Sequence, residues 1–199
     1  MTAAVVFGTI FVVELPDKTF IATLVMSTRW RPLLVWIGVC LAFLVQTLVA
    51  VTAGGFLARL PRTPVEIVAC ALFVIGGVLL LRGAGAADEE EAETEAEFGA
   101  KAAAQVVGWR VVTLSFTVLF LAEWGDLSQI LTASLVVRYD DPVSVFVGAF
   151  LALVVVSGLA AALGRTLLTW MRLSTIRRVG GAVCLLLAAY TALEIAGVL

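Results

Sequence analysis

The stretch FVVELPDKTFI at residues 11–21 places two carboxylates, a lysine and a proline inside an apolar run that extends from residue 3 to residue 26. A single ionised side chain at the centre of a bilayer costs about 2.5–3.5 kcal/mol on insertion scales. A second stretch, FLAEWGDLSQI at residues 120–130, repeats the pattern, so that Glu14 matches Glu123 and Asp17 matches Asp126. Charges placed twice at such a cost indicate a function.

The composition predicts an all-α integral membrane protein. The 199 residues are 62% hydrophobic, and a bilayer crossing needs about 20 apolar residues. Because the apolar runs are continuous and do not alternate with polar residues, they favour helices over the strands of an outer-membrane barrel. The first run lacks a basic segment before it, so we expect it to stay in the mature protein. Six transmembrane helices are predicted, near residues 3–26, 32–57, 65–82, 111–137, 143–168 and 176–198.

The similarity of the two halves extends beyond the acidic motifs. With one residue inserted, Gly38 matches Gly148 and Thr47 matches Ser157. Since three crossings end on the opposite side of the membrane, the second copy must be inverted relative to the first. Inverted repeats are typical of secondary transporters, whose substrate site lies near the midplane between the repeats. We predict a three-helix repeat at 1–82, an acidic linker at 83–109 and an inverted three-helix repeat at 110–199.

The linker and the loop charges predict the orientation of the chain. Seven acidic residues lie between Asp88 and Glu97 with no evident apolar face, which indicates a flexible linker. By the positive-inside rule, the side with more Lys and Arg is cytoplasmic. We therefore expect an inner (plasma) membrane protein with both termini outside and the linker in the cytoplasm. Nine basic residues share the linker's side, against Arg59, Arg62 and Arg138 on the other: Arg29, Arg31, Arg82, Lys101, Arg110, Arg165, Arg172, Arg177 and Arg178.

The first acidic motif predicts a polar patch at an irregular point of its helix. On one continuous helix, Glu14, Asp17 and Lys18 would share a face. Pro16 has no N–H and would leave the carbonyl of Val12 without its helical donor. Transporters use such broken helices to present backbone oxygens to cations, and we favour this interpretation over a simple proline kink.

The candidate ligands are all oxygen donors. Histidine is absent from the chain, and the three cysteines are interpreted as packing residues. Hard oxygen ligands favour Mn²⁺, Ca²⁺ or Mg²⁺ over Zn²⁺ or copper, and clustered carboxylates also take up protons. Lys18 is expected either to neutralise a carboxylate or to form a structural salt bridge. The predicted cation ligands are Glu14, Asp17, Thr19, Glu123, Asp126, Ser128 and Gln129.

Two copies of a motif close to E-x-G-D-[KR]-[TS] make the chain similar to the transmembrane protein 165 family (uncharacterised protein family 0016) of Mn²⁺/Ca²⁺:H⁺ exchangers. The resemblance covers nearly the whole chain and implies that the acidic motifs form the cation site. This sequence has Pro16 at the motif glycine and Leu127 at the basic position of the second motif. Neither departure removes an oxygen ligand.

The resemblance implies a transporter, not an enzyme, without a resident cofactor, that exports Mn²⁺ in exchange for protons, with Ca²⁺ as the alternative cargo. Its expected partners are the divalent cation, protons and the lipid bilayer, without nucleic acid, and the sequence leaves a homo-oligomer open. Two alternatives come from other classes. Asp17 and Asp126 resemble the pair of an intramembrane aspartyl protease, although hydrolysis gives no reason for the added glutamates. A purely structural scaffold gives no reason for the carboxylates at all.

Overall fold

The computed structural model describes residues 1–15, 18–59, 62–83, 87–102, 106–163 and 173–196. Regular structure within these ranges is helical throughout, which confirms the all-α prediction. Nine helices are described in them: α1 (Thr2–Glu14), α2 (Lys18–Arg29), α3 (Pro32–Leu57), α4 (Arg62–Gly83), α5 (Ala87–Lys101), α6 (Trp109–Ala122), α7 (Leu127–Tyr139), α8 (Pro142–Leu163) and α9 (Leu173–Ile195).

Two helices are long and apolar enough to cross a membrane by themselves among the described residues. They are α3 over Pro32–Leu57 and α8 over Pro142–Ala162, each with a mean hydropathy of 2.5. The predicted runs 3–26 and 111–137 are not single helices, because each is divided at its acidic motif into a pair, α1 with α2 and α6 with α7.

The two long helices begin at prolines and differ in their caps. Proline suits the first helical turn because its missing N–H would have no intrahelical acceptor there. Before α8, Asp141 Oδ1 accepts a hydrogen bond from the Ser144 backbone N–H at 3.1 Å. This contact with Ser144 holds the pKa of Asp141 below its ordinary value of 3.8. Arg31, which precedes α3, makes no side-chain cap.

Helices α3 and α8 lie at the centre of the molecule. They pack on each other, and α3 also packs on α6 and α7 while α8 packs on α1 and α2. Contacts of Gly38 with Ser115 and of Gln46 with Phe120 show that α3 and α6 run parallel. At the edge, α4 and α9 run antiparallel, with Gly77 beside Gly181.

Helix α5 corrects the prediction of a flexible linker. The acidic segment is helical over Ala87–Lys101 and packs against α2 and α9. Phe98 and Ala102 are 3% and 2% exposed, so the end of the segment does have an apolar face. Residues four apart meet on one side of a helix, and the run of acids before Phe98 concealed this pair from an argument based on composition.

Candidate cation site

The second acidic motif lies where α6 ends and α7 begins. Glu123 has left the helical conformation, with φ −104° and ψ 9°, and Gly125 has a φ of +82°. Because side chains rarely tolerate that φ, glycine is suited to the turn. Asp126 is the N-cap of α7, and its Oδ2 accepts a hydrogen bond from the Ser128 N–H at 3.4 Å. The motif is therefore a break between two half-helices.

Gln129 joins the two sides of this break. Its Nε2 donates to the backbone carbonyl of Glu123 at 2.7 Å, and its Oε1 accepts from the N–H of Gly125 at 3.4 Å. Both backbone groups lie where helical hydrogen bonding has stopped and would otherwise need other partners. Gln129 therefore stabilises the turn between α6 and α7.

The first acidic motif is also interrupted. Helix α1 ends at Glu14, where the Leu15 N–H still donates to the carbonyl of Phe11 at 3.1 Å, and α2 begins at Lys18. Pro16 and the predicted ligand Asp17 lie outside the described residues. The interruption agrees with the interpretation of Pro16 as part of a helix break.

The glutamates of the two motifs are buried. Glu14 is 1% exposed and Glu123 is 3% exposed. The hydroxyl residues after each break, Thr19 and Ser128, are buried as well, whereas Asp126 is half-buried. A carboxylate so far from water requires compensation by a cation, a proton or strong hydrogen-bond donors. Each motif therefore buries one carboxylate and one hydroxyl residue beside its helix break.

The predicted helix face shared by Glu14 and Lys18 is not present, while the role of Lys18 as a charge partner stays a prediction. The break prevents one continuous helix from carrying Glu14 and Lys18, and the side chain of Lys18 is exposed. Its charge acts on α5: the hydrogen bond and charge of Lys101, and more weakly the charge of Lys18, lower the pKa of Glu97. The second break likewise separates Glu123, the C-cap of α6, from Asp126, the N-cap of α7, so these two residues do not share one continuous helix either.

The sequence argument missed two polar residues of α3. Gln46 and Thr47, each 3% exposed, line a small cavity of about 10 Å³ together with Ser128, Gln129 and Thr132. Gln46 Nε2 donates to the backbone carbonyl of Phe120 at 3.2 Å, one turn before Glu123. An isolated Gln-Thr pair in the middle of the 26-residue helix α3 was the signal that could have identified them.

The described side chains do not form a complete metal site. No group of three or more acidic or cysteine side chains lies close enough to hold a metal ion in the ranges given above. What these ranges do contain is a buried carboxylate at each break. At the second break they also contain a cavity lined by hydroxyl and amide side chains together with Phe43, Ala50 and Leu153. Convergence of all four motif carboxylates, Asp17 included, stays a prediction.

Comparison with known proteins identifies the family. A family model described as divalent cation/proton antiporter GDT1 matches residues 2–88 and 111–197. The second stretch begins and ends 109 residues after the first, which is also the separation of Glu14 from Glu123. No solved structure matches the chain.

Relatives along the whole chain carry the same family name or come from chloroplasts. The chain is 30% identical over 187 residues to GDT1-like protein sll0615 of Synechocystis sp., with 90% of each covered. It is 32% identical over 208 residues to Protein PAM71, chloroplastic, of Arabidopsis thaliana, covering 95% of this chain and 56% of that protein. GDT1-like protein 1, chloroplastic, of Oryza sativa subsp. indica is 30% identical over 209 residues, with 95% and 61% covered. The chain therefore spans under two thirds of these chloroplast relatives.

Proposed function

Because the chain belongs to the GDT1 family of divalent cation/proton antiporters, we propose that it exports Mn²⁺ from the cytoplasm in exchange for protons, with Ca²⁺ as the alternative cargo. Members of this family are membrane transporters and not enzymes, which removes the protease alternative. Mn²⁺ and Ca²⁺ both prefer hard oxygen ligands, so the ligand chemistry alone accommodates either ion.

The observation that carries the proposal is the position of the two buried glutamates. Glu14 is the last residue of α1, and Glu123 is the C-cap of α6. A helix C-terminus carries partial negative charge and carbonyl oxygens without helical donors. A carboxylate added there is unfavourable alone but favourable beside a cation. Transporters of other folds bind ions at the ends of such half-helices.

The proposed ligand set keeps the oxygen donors of both motifs. The glutamates provide negative charge, and the hydroxyl and amide groups provide neutral oxygens. Gln129 serves this set partly by holding the turn, because its Nε2 donates to the carbonyl of Glu123. The proposed residues are Glu14, Asp17, Thr19, Glu123, Asp126, Ser128 and Gln129.

Proton exchange follows from the charge of the site. Four carboxylates without a bound cation are costly to keep ionised in a low-dielectric environment. When the divalent cation leaves, protonation is therefore the favourable replacement. Lys18 cannot fulfil that role from an exposed position. An inward proton gradient then drives outward movement of the metal ion.

We further propose six spans arranged as two inverted repeats, with α1–α2 and α6–α7 each forming one interrupted span. Consecutive spans α1–α2 and α3 must run in opposite directions, and α6 runs parallel to α3. Helix α6 therefore runs opposite to α1, which supports the inversion of the second repeat. With α5 in the cytoplasm, both termini lie outside a bacterial-type inner membrane.

The test is transport by the purified protein in proteoliposomes. An imposed pH gradient should accelerate uphill movement of Mn²⁺, and addition of Mn²⁺ should move protons in the opposite direction. The same measurements with Ca²⁺ and Mg²⁺ show which of the three ions is transported fastest. Metal flux that is indifferent to the pH gradient, without movement of protons, would indicate a channel or uniporter and refute the exchange.

A further inference from the structure

Thr47 is one of five buried hydroxyl residues whose oxygen makes no hydrogen bond among the described residues; the others are Thr19, Thr23, Ser27 and Ser115. A serine or threonine inside a helix commonly donates to the carbonyl one turn earlier. Thr132 does so to Ser128 at 2.7 Å, and Ser157 does so to Leu153 at 2.8 Å. Thr47 Oγ1 is buried and has no hydrogen-bond partner among the described residues. Burying a hydroxyl without a hydrogen-bond partner is unfavourable, so we expect a ligand to bind at this position.

The comparison with Ser157 is informative because the repeat relates the two positions. Thr47 on α3 corresponds to Ser157 on α8. The hydroxyl of Ser157 donates within its own helix, to the carbonyl of Leu153 and also to that of Val154 at 3.1 Å. Only the α3 member of the pair lines the cavity with Ser128, Gln129 and Thr132. Of the five unsatisfied hydroxyls, that of Thr47 is the one that lines this cavity.

The residue beside Thr47 connects this cavity to the acidic motif. In the first half the carbonyl of Phe11 accepts from the backbone of Leu15 at 3.1 Å. In the second half the corresponding carbonyl, of Phe120, accepts from the side chain of Gln46 at 3.2 Å. Gln46 thus replaces a backbone donor and fastens α3 to the end of α6. The cavity is joined in this way to the half-helix that carries Glu123.

We propose that the cavity between α3 and α7 is a subsite for the transported divalent cation, with Thr47 Oγ1 as a ligand in addition to the oxygens of the motifs. This inference rests on the proposed function. A cavity of about 10 Å³ accommodates one water-sized occupant, which suits a single ion that has lost most of its hydration. Hydroxyl and amide oxygens are hard, neutral ligands, and no carboxylate lines the cavity. We therefore assign the negative charge to the motif carboxylates, of which Asp126 precedes the lining residue Ser128 by two positions.

The experiment measures binding of Mn²⁺ alone to the purified full chain by isothermal titration calorimetry, with Thr47→Val, Thr47→Ser and Ser157→Ala. Thr47→Val nearly keeps the shape and removes the oxygen, and we expect at least a tenfold weaker affinity, about the loss that even an indirect partner of a metal site causes. Thr47→Ser should keep the wild-type affinity because it keeps the hydroxyl. Ser157→Ala should also bind as the wild type does.

Thermal unfolding without metal separates binding from folding. Because Thr47→Val removes a hydroxyl that has no partner, its melting temperature should equal or exceed that of the wild type. Wild-type Mn²⁺ affinity in Thr47→Val would overturn the subsite and mean that the cavity holds only water. Failure of the wild-type chain to bind either Mn²⁺ or Ca²⁺ would instead refute the proposed function, and the subsite with it.

Discussion

Gly38 and Gly148 make the same kind of contact from opposite halves of the chain. A Cβ at Gly38 would overlap the carbonyl oxygen of Val112 and lie 2.9 Å from the Cβ of Ser115. A Cβ at Gly148 would overlap the carbonyl oxygen of Ala3 and lie 3.0 Å from the Cβ of Val6. Both contacted residues in α6 follow those in α1 by 109 positions, so the helix crossings are reciprocal.

The glycine crossings give a stability prediction. Small residues let helix backbones approach closely in membrane proteins. Gly38→Ala and Gly148→Ala should each destabilise the protein by about 1–3 kcal/mol, because the methyl group meets backbone atoms that cannot rotate away. Gly55→Ala is the control, since a Cβ there meets nothing within 4 Å. Thermal unfolding in detergent is the measurement, and equal melting temperatures for Gly38→Ala and Gly55→Ala would contradict the crossing.

The buried glutamates give a prediction for transport. Glu14→Gln and Glu123→Gln nearly keep the shape of the side chain and remove its charge, so Mn²⁺ flux in proteoliposomes should fall at least about tenfold with folding preserved. Glu93→Gln, on the exposed surface of α5, is a matched control that should transport at the wild-type rate. Wild-type flux in both motif variants would exclude a shared site.

The cap of α8 gives a prediction for pH. The folded protein holds the pKa of Asp141 below 3.8, so the contribution of this carboxylate to stability is present above that value. It disappears as the pH falls through the lowered pKa of the folded state. The melting temperature of the wild type should therefore exceed that of Asp141→Asn at pH 6, and the difference should shrink below pH 3.8. Asp140→Asn is the neighbouring control, and a difference that stays constant with pH would contradict the role of the charge.

Helix α5 gives a prediction for local order. Full burial of a phenylalanine stabilises by about 1.5–3 kcal/mol, so Phe98→Ser should release α5 from α2 and α9. Amide hydrogen exchange over residues 92–102 should become faster in this variant, while exchange in α3 should not change. Ala100→Ser, at an exposed position of the same helix, should leave exchange as in the wild type. Unchanged protection in Phe98→Ser would mean that the apolar face does not hold the helix.

Orientation is tested by labelling. In a variant without Cys40, Cys70 and Cys184, Glu91→Cys should not react with a membrane-impermeant thiol reagent in intact cells, because α5 is proposed to be cytoplasmic. The same variant should react after the cells are permeabilised, which controls for accessibility of the new thiol. Labelling of intact cells would reverse the proposed topology.

The sequence by itself determined the helical class, the duplicated motifs and the presence of helix breaks. These properties are local: long apolar runs favour helices in a membrane, Pro16 cannot donate a helical hydrogen bond, and Gly125 permits a positive φ. The repeat was also visible, because residues such as Glu14 and Glu123 hold the same place in two similar segments. Two local predictions failed: the end of α5, where Phe98 and Ala102 follow a run of acids, and the helix face expected to carry both Glu14 and Lys18.

The tertiary structure determined which side chains contact the helix breaks. The hydrogen bond from Gln46 to Phe120 joins residues 74 apart, and the exposed position of Lys18 depends on how α2 packs on α5. Periodicity can place a residue on a face of its own helix, but which neighbouring helix meets that face depends on the crossings at Gly38 and Gly148. The Gln46-Thr47 pair was visible in the sequence of an apolar helix, but its position at the second break follows only from the packing of α3 on α6 and α7.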